Sequence, residues 1–288
     1  MACLQNVLSI DVEDWFQVEA FANLIPRESW TSLDSRVRRN TEILLELLHQ
    51  KGVRATFFTL GSVAEREPDL IRSIARQGHE VASHGCSHRA LWNLDPASFA
   101  EEARRSKAIL EDLTGTPVLG FRCPTFSIKK ETLWALDVLA ACGYEYDSSI
   151  FPVHHDRYGI PDSPLDIHLT PSGVWELPMS VLELGRYRLP VAGGGYFRIF
   201  PLALTSHALR TMNKAGRPGL VYLHPWEFDK NHPRYPGMNL QTRFRHYFGI
   251  SANKAKLDAL LDQFAFAPAR DVLHGLQAFP RVAFQNRT

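Results

Sequence analysis

The stretch "ATFFTLGSVAEREPDLIRSIARQGHEVAS", residues 55–83, decides the fold class. "ATFFTL" (55–60) is β-branched and aromatic, and "HEVAS" (79–83) is a second short apolar run; both are expected to be buried strands. Between them a helix is expected over about Pro68–Gln77, opened by proline and stopped at Gly78. Two strands joined through a helix this closely form a parallel crossover unit.

The theme continues outward. "NVLSI" (6–10) reads as a buried strand. From Asp34 a helix follows, with Val37, Thr41, Leu44, Leu45 and Leu48 on one face and Gly52 as its stop. "DPASFAEEARRSKAILEDLTG" (95–115) has Asp95 as N-cap, Pro96 in the first helical position and Gly115 as terminator. "VLGF" (118–121), a helix near 130–142 and "YEY" (144–146) complete the series. No glycine-rich phosphate loop follows the first strand, so a (β/α) barrel fits better than an open doubly wound sheet. After residue 150 the chain turns Pro- and Gly-rich. Strands are expected at "VWELPM" (174–179), "YFRIF" (196–200) and "GLVYL" (219–223), with helices at 201–214 and near 252–264. "AGGGYF" (192–197) is too short a glycine run to mean more than a flexible or close-packed loop. A single domain is expected, its barrel core about 4–225 and a C-terminal extension about 226–288.

Composition excludes several classes. The chain of 288 residues is 45% hydrophobic, enough for a sizeable core, and its formal charge of +1 argues against a nucleic-acid partner. Arg36, Arg38 and Arg39, and Arg243 with Arg245, read as solvated faces. No stretch reaches the ~18 apolar residues of a membrane span. The N-terminus lacks the basic region of a signal peptide, so a cytoplasmic location is expected. Cys3, Cys86, Cys123 and Cys142 are expected as reduced thiols.

The segment "HEVASHGCSH" (79–88) ends in His84 and His88, four apart. With 12 histidines in the chain, one such pair is unremarkable by itself. Its context is not. In a parallel α/β barrel, chemistry sits at the C-terminal ends of the strands. Asp11, with Glu13 and Asp14 close behind, follows "VLSI". His84 follows "EVAS", Arg122 follows "VLGF", Asp147 follows "YEY" and His224 follows "LVYL". Two neutral imidazoles and a carboxylate, with a position left for water, form a catalytic rather than a structural metal site. His84 and His88 would face one ion if the segment coils after Gly85. A second carboxylate off the metal would take a proton, and a histidine opposite would supply one. Glu13 shares a strand face with Asp11, whereas a turn at Val12 would present Asp14, so the residues alone leave the third ligand open between them.

In this order, "SIDVED", "SHGCSH", "FRCP", "YDSS" and "YLHP" resemble the five motifs of the polysaccharide deacetylases, the NodB-homology family or carbohydrate esterase family 4, on a distorted (β/α) barrel. "DVEDWF", "HPWEFD" and "RFRHYFG" resemble a subgroup associated with exosortase-linked exopolysaccharide loci. The resemblance implies Asp11 as catalytic base, with Arg122 orienting it. It implies His224 as general acid held by Asp147, a backbone oxyanion donor near Thr125, and His84, His88 and Asp14 as metal ligands. The implied cofactor is a divalent metal, zinc, with cobalt or nickel as alternatives. The implied partner is an N-acetylated glycan; the expected cytoplasmic location would be reconciled with an exopolysaccharide by a lipid-linked or nascent sugar at the inner membrane face. Hydrolysis of a small amide or cyclic ureide, and a catalytically inactive carbohydrate-binding relative, are the alternatives on the same fold. A two-histidine, one-carboxylate iron oxygenase gives Asp11, Arg122, Asp147 and His224 no necessary role. Trp15, Phe126, Tyr196 and Trp226 could stack on sugar rings, but as single residues they read first as core; His154 and His155 read as loop residues.

Overall fold

The computed structural model describes residues 4–155 and 157–278. Its strands are β1 (Asn6–Val12), β2 (Thr56–Thr59), β3 (Glu80–Ser83), β4 (Gly120–Phe121), β5 (Tyr146–Asp147), β6 (His168–Leu169), β7 (Trp175–Glu176), β8 (Val181–Leu184), β9 (Tyr187–Pro190), β10 (Leu220–Leu223) and β11 (Phe266–Ala267). The helices are α1 (Val37–Lys51), α2 (Gly61–Arg66), α3 (Pro68–Arg76), α4 (Pro96–Thr114), α5 (Trp134–Ala141), α6 (Gly194–Ile199), α7 (Leu202–Lys214), α8 (Leu240–Tyr247), α9 (Ile250–Leu261) and α10 (Ala269–Ala278).

The main sheet runs β10-β1-β2-β3-β4-β5-β7-β6, parallel except for β6 against β7, and curls into a half-barrel. β1 pairs with β10 along one edge; its other edge meets β11 at Asn6–Val7 and β2 from Ser9 onward. The two-residue strand period sorts the side chains of β1. Leu8, Ile10 and Val12 join the core that includes Leu44, Leu48, Phe57, Ile71 and Ile74 of the flanking elements. Val7 joins a second core with Phe58, Phe126, Tyr146 and Tyr222, and Ser9 and Asp11 share its face of the strand.

Gly120 is required by close packing on the inner face. A Cβ there would sit 2.0 Å from Cζ of Tyr146, whose hydroxyl donates to Glu80 at 2.9 Å. Gly120→Ala is therefore expected to destabilise the fold by about 1–3 kcal/mol, the usual range for overpacking. An unchanged thermal melting temperature would count against this packing.

Most expected elements form, several with shifted limits. α1 starts at Val37 rather than Asp34, and α9 spans 250–261 rather than 252–264. β5 takes in Asp147, which was expected just after it. "YFRIF" is not a strand. Gly193 and Gly194 (φ 49°) open a helix there, and Gly194, Phe197 and Arg198 are buried at helical spacing. The aromatic and β-branched composition favours a strand, but tertiary packing overrides it. The glycine run is close-packed: a Cβ on Gly193 would lie 2.0 Å from the Tyr222 ring. The β8–β9 hairpin was not anticipated, although "VLELGRYRLP" carries a two-residue Gly-Arg turn between its paired ends Leu184 and Tyr187. No described helix is long and apolar enough to cross a membrane.

Candidate active site

At the C-terminal ends of β1, β3, β4 and β10, a cavity of about 860 Å³ opens over Asp11, Glu13, His84, His88 and His224. β1 delivers two carboxylates, and the Glu13 amide donates back to the Asp11 carbonyl at 3.0 Å.

Glu13 takes the histidine side of the cavity. Its Oε2 lies 2.7 Å from Nε2 of His88 and 3.9 Å from Nε2 of His84. Burial raises the pKa of its carboxyl, but the imidazoles of His88, His224 and His84 outweigh this and hold it below the usual range. His84 sits where β3 ends, and its Nδ1 is 2.8 Å from the Arg122 carbonyl. That acceptor fixes the proton on Nδ1 and leaves the Nε2 lone pair toward Glu13. Burial first, and His88 second, depress the His84 pKa to about 3, so the ring is neutral near pH 7.

The segment after His84 does not coil into a helical turn. Gly85 (φ 76°) and His88 (φ 55°) take left-handed conformations, and the bend between them is tied to Glu102. Its carboxylate accepts from the amides of Cys86 (3.0 Å) and Ser87 (2.8 Å) and from the Ser87 hydroxyl (2.6 Å). Arg27 donates to the His88 carbonyl at 2.6 Å. A bend, not a helix, brings the two rings to a centroid distance of 5.4 Å.

Ligand atoms of Glu13, His84 and His88 all lie within 4.8 Å of one another. Two imidazole nitrogens and one carboxylate are a donor set that fits a divalent metal of the catalytic type. Asp14, expected as the third member, turns away from the cavity. Its carboxylate accepts from the Ser35 hydroxyl (2.5 Å), from the amides of Arg36 (3.1 Å) and Trp15 (3.0 Å), and from Arg66 (3.3 Å). With those donors engaged, Asp14 is a buried tie between β1 and the start of α1. Asp14 was favoured because the resemblance implies an aspartate ligand; Glu13 reaches the histidines instead because it lies on the inner face.

Asp11 is kept apart from that group by Arg122, which donates to Oδ1 at 2.6 Å. The guanidinium is fully buried, over the Phe58 ring at 4.1 Å, and also donates to Ser9 Oγ, Ser148 O and Ser148 Oγ at 2.9–3.0 Å. These contacts satisfy a buried cation and leave Asp11 Oδ2 toward the cavity.

His224, at the end of β10, faces both carboxylates. Its Nε2 is 3.7 Å from Glu13 Oε1 and 3.9 Å from Asp11 Oδ2. Its Nδ1 partner is not Asp147. Glu227 Oε2 lies 3.3 Å away, and the same oxygen accepts from the His224 amide at 2.9 Å. Burial lowers the His224 pKa, yet Glu13, Glu227 and Asp11 together raise it to about 9. Burial likewise raises that of Glu227, but Arg198 and His224 bring it down to about 2. Arg198 donates to Glu227 at 2.8 Å and to the carbonyls of Arg245, His246 and Phe248 at 2.7–3.1 Å. Glu227 and Arg198 were missed. The Pro225 and Glu227 that follow His224 match the spacing of a helix start with an acidic third residue, the signal that would have found Glu227.

Asp147 stands opposite Glu176 in the β5–β7 register and accepts from the Ser149 amide (3.0 Å) and hydroxyl (2.7 Å). Burial, and then the Asp147 charge, push the pKa of Glu176 well up. Because β5 takes in Asp147, the residue buttresses the Ser148–Ser149 turn under Arg122 and does not reach the cavity.

Thr125 (φ 59°) and Phe126 (φ 51°) line the cavity in left-handed conformations, uncommon for such side chains. Phe126 packs on Tyr222 at 4.8 Å, and Tyr196 also lines the cavity. Trp226 donates its Nε1–H to Glu13 Oε1 at 3.3 Å and stacks on His224 and His246. Trp15 is core, packed on Phe16, Phe21 and Tyr235. His154 and His155 lie at the cavity wall.

The polysaccharide deacetylase family profile matches residues 25–146, and a domain of unknown function, DUF3473, matches residues 148–274. The peptidoglycan-N-acetylglucosamine deacetylase of Bacillus cereus is 28% identical over 145 residues, 46% of this chain and 52% of that protein. The chitooligosaccharide deacetylase of Bradyrhizobium is 33% identical over 104 residues, 35% of this chain and 43% of that protein. The chain thus spans about half the length of the curated relatives it matches. A Mycobacterium smegmatis crystal structure assigned to the polysaccharide deacetylases shares the fold, with a TM-score of 0.57 and 21% identity over 96% of this chain and 92% of that one. With its motifs arrayed along the strand ends of a curled parallel sheet, the chain carries a region, residues 25–146, that matches the polysaccharide deacetylase family.

Proposed function

We propose that the protein is a metal-dependent N-deacetylase acting on N-acetylated sugars of a bacterial exopolysaccharide or its precursor, built as one domain with a C-terminal extension. The observation that carries this reading is the division of labour between two carboxylates on one strand end. Glu13 groups with His84 and His88, while Asp11 is held off by Arg122, with His224 facing both. A deacetylase needs this separation of a metal-binding acid from a proton-accepting one.

Glu13, His84 and His88 would hold the ion, zinc first and cobalt or nickel as alternatives. When bound, such an ion acidifies water and polarises a carbonyl. Asp11 Oδ2 accepts the proton of the attacking water, while Arg122 keeps Oδ1 occupied. His224 Nε2–H delivers a proton to the departing sugar nitrogen. The Thr125 N–H donates to the acetamide oxygen as negative charge grows there. Glu227 replaces Asp147 as the group that holds the His224 ring.

The reading is tested by acetate release from N-acetylated oligosaccharides, using metal-stripped protein reloaded with zinc or cobalt, beside a His84→Ala variant. Release that needs the metal and vanishes in the variant supports it. Release that survives stripping overturns it.

The His224 role carries a pH prediction. A raised pKa means the protonated ring persists below that value and is lost as pH rises through it. Activity should therefore fall on an alkaline limb. A cation on Glu13 removes one of the three raising charges, placing that limb below about 9 in the loaded enzyme. Glu227→Gln removes another and should move the limb down by about one pH unit or more. A limb unmoved by this substitution would assign it to a different group.

A further inference from the structure

The segment from Lys230 to Leu257 contains six lysines and arginines and no aspartate or glutamate, in a chain whose formal charge is only +1. Within it, α8 borders the cavity, to which Thr242 and Arg245 contribute. The helix and the residue that ends it carry an uncovered apolar stripe: Leu240, Phe244 and Phe248, four residues apart, are 83%, 53% and 44% exposed. The two phenylalanine rings touch at 4.8 Å, and Arg234 and Arg243 border the shallow groove beside them. Among the described residues, Arg234, Arg243 and Arg245 form no ion pair with a carboxylate.

Exposed leucine and phenylalanine flanked by unpaired arginines match the interface of a bilayer with anionic headgroups. A basic rim gathers anionic lipid, and the apolar side chains enter the headgroup boundary. Charge complementarity therefore selects this occupant. We propose that α8 and its flanks are a membrane-docking surface for anionic phospholipid, which holds the rim of the active-site cavity at the bilayer surface. A glycan anchored to lipid would then be presented to the cavity without leaving the membrane.

The experiment is co-sedimentation of the full chain with vesicles of phosphatidylcholine alone, or of phosphatidylcholine mixed with phosphatidylglycerol. Partitioning is expected onto the mixed vesicles only and should weaken at raised salt. It should fall about fivefold in each of Arg234→Gln and Arg243→Gln, and about tenfold or more in the Leu240→Ser/Phe244→Ser double variant. Turnover of a soluble oligosaccharide by these variants should be unchanged, which also shows that they fold. No partitioning, equal partitioning onto phosphatidylcholine, or mixed-vesicle binding indifferent to the variants overturns the proposal. So does a wild-type dimer that the double variant dissociates in sedimentation velocity without any vesicle binding, since the stripe would then be a contact between copies. Partitioning is read without turnover, so it stands or falls separately from deacetylation.

Discussion

Glu13→Ala is expected to lower zinc affinity by about a hundredfold or more, and Asp14→Asn to leave it within about threefold. Substitutions beyond the ligand shell already cost 10–100-fold in metal sites, so losing the one charged donor should cost at least the upper end. Glu13 supplies the only negative charge of its group, because His84 is neutral near pH 7 and its Nδ1–H is committed to the Arg122 carbonyl. Asp14 offers no such donor: its oxygens face Ser35, Arg36, Trp15 and Arg66. Its substitution should instead lower thermal stability, by about 1–3 kcal/mol, as buried donors lose a charged acceptor. The pair of variants separates binding from folding. Competition of the stripped protein against a chromophoric chelator measures the first, and a melting curve the second. A large loss of affinity in Asp14→Asn with none in Glu13→Ala would restore the original assignment and displace Glu13.

The contrast between these neighbouring acids shows what the amino-acid pattern does and does not encode. Which residues gather at the strand ends was legible, because a parallel sheet maps strand ends onto one rim whatever the loops do. Asp11, His84, Arg122 and His224 followed from that rule, and His88 from its four-residue spacing to His84. Side-chain direction at the end of β1 was not legible. It depends on whether period two persists past Val12, and both a strand and a turn satisfied "DVEDW". Asp147 failed for a related reason: a one-residue shift in β5 paired it with Glu176 and took it away from His224. Arg198 sits where composition favoured a strand, so its inward turn onto Glu227 depended on the Gly193–Gly194 helix start. The bend from Gly85 to His88 rests on Glu102, far along the chain on α4, a contact no local pattern reports. The alternation of strands and helices was encoded locally; the partners that tune each site residue are long-range.

Asp11→Asn should cost the deacetylation rate about 10²–10⁴-fold, the range for losing a general base, while zinc affinity stays within a few-fold of the parent. An asparagine oxygen still accepts from Arg122, so the cavity wall keeps its shape, but the group facing His224 no longer takes up a proton. Arg122 meanwhile loses the one charged partner among its contacts, Ser9 and Ser148 remaining as neutral acceptors. Removing one member of a buried pair can cost about 3–5 kcal/mol, and the retained acceptor should keep the loss below that. The comparison with Glu13→Ala is what makes the result decisive. Both variants should be slow, but only Glu13→Ala should recover activity as zinc is raised, since its defect lies in affinity. The Asp11→Asn defect lies in proton transfer, and saturating metal should not touch it. If Asp11→Asn retains more than a tenth of the parent rate at saturating zinc, Asp11 is not the base. A rate restored by added zinc would instead make it a ligand, and the two carboxylates of β1 would have to exchange roles.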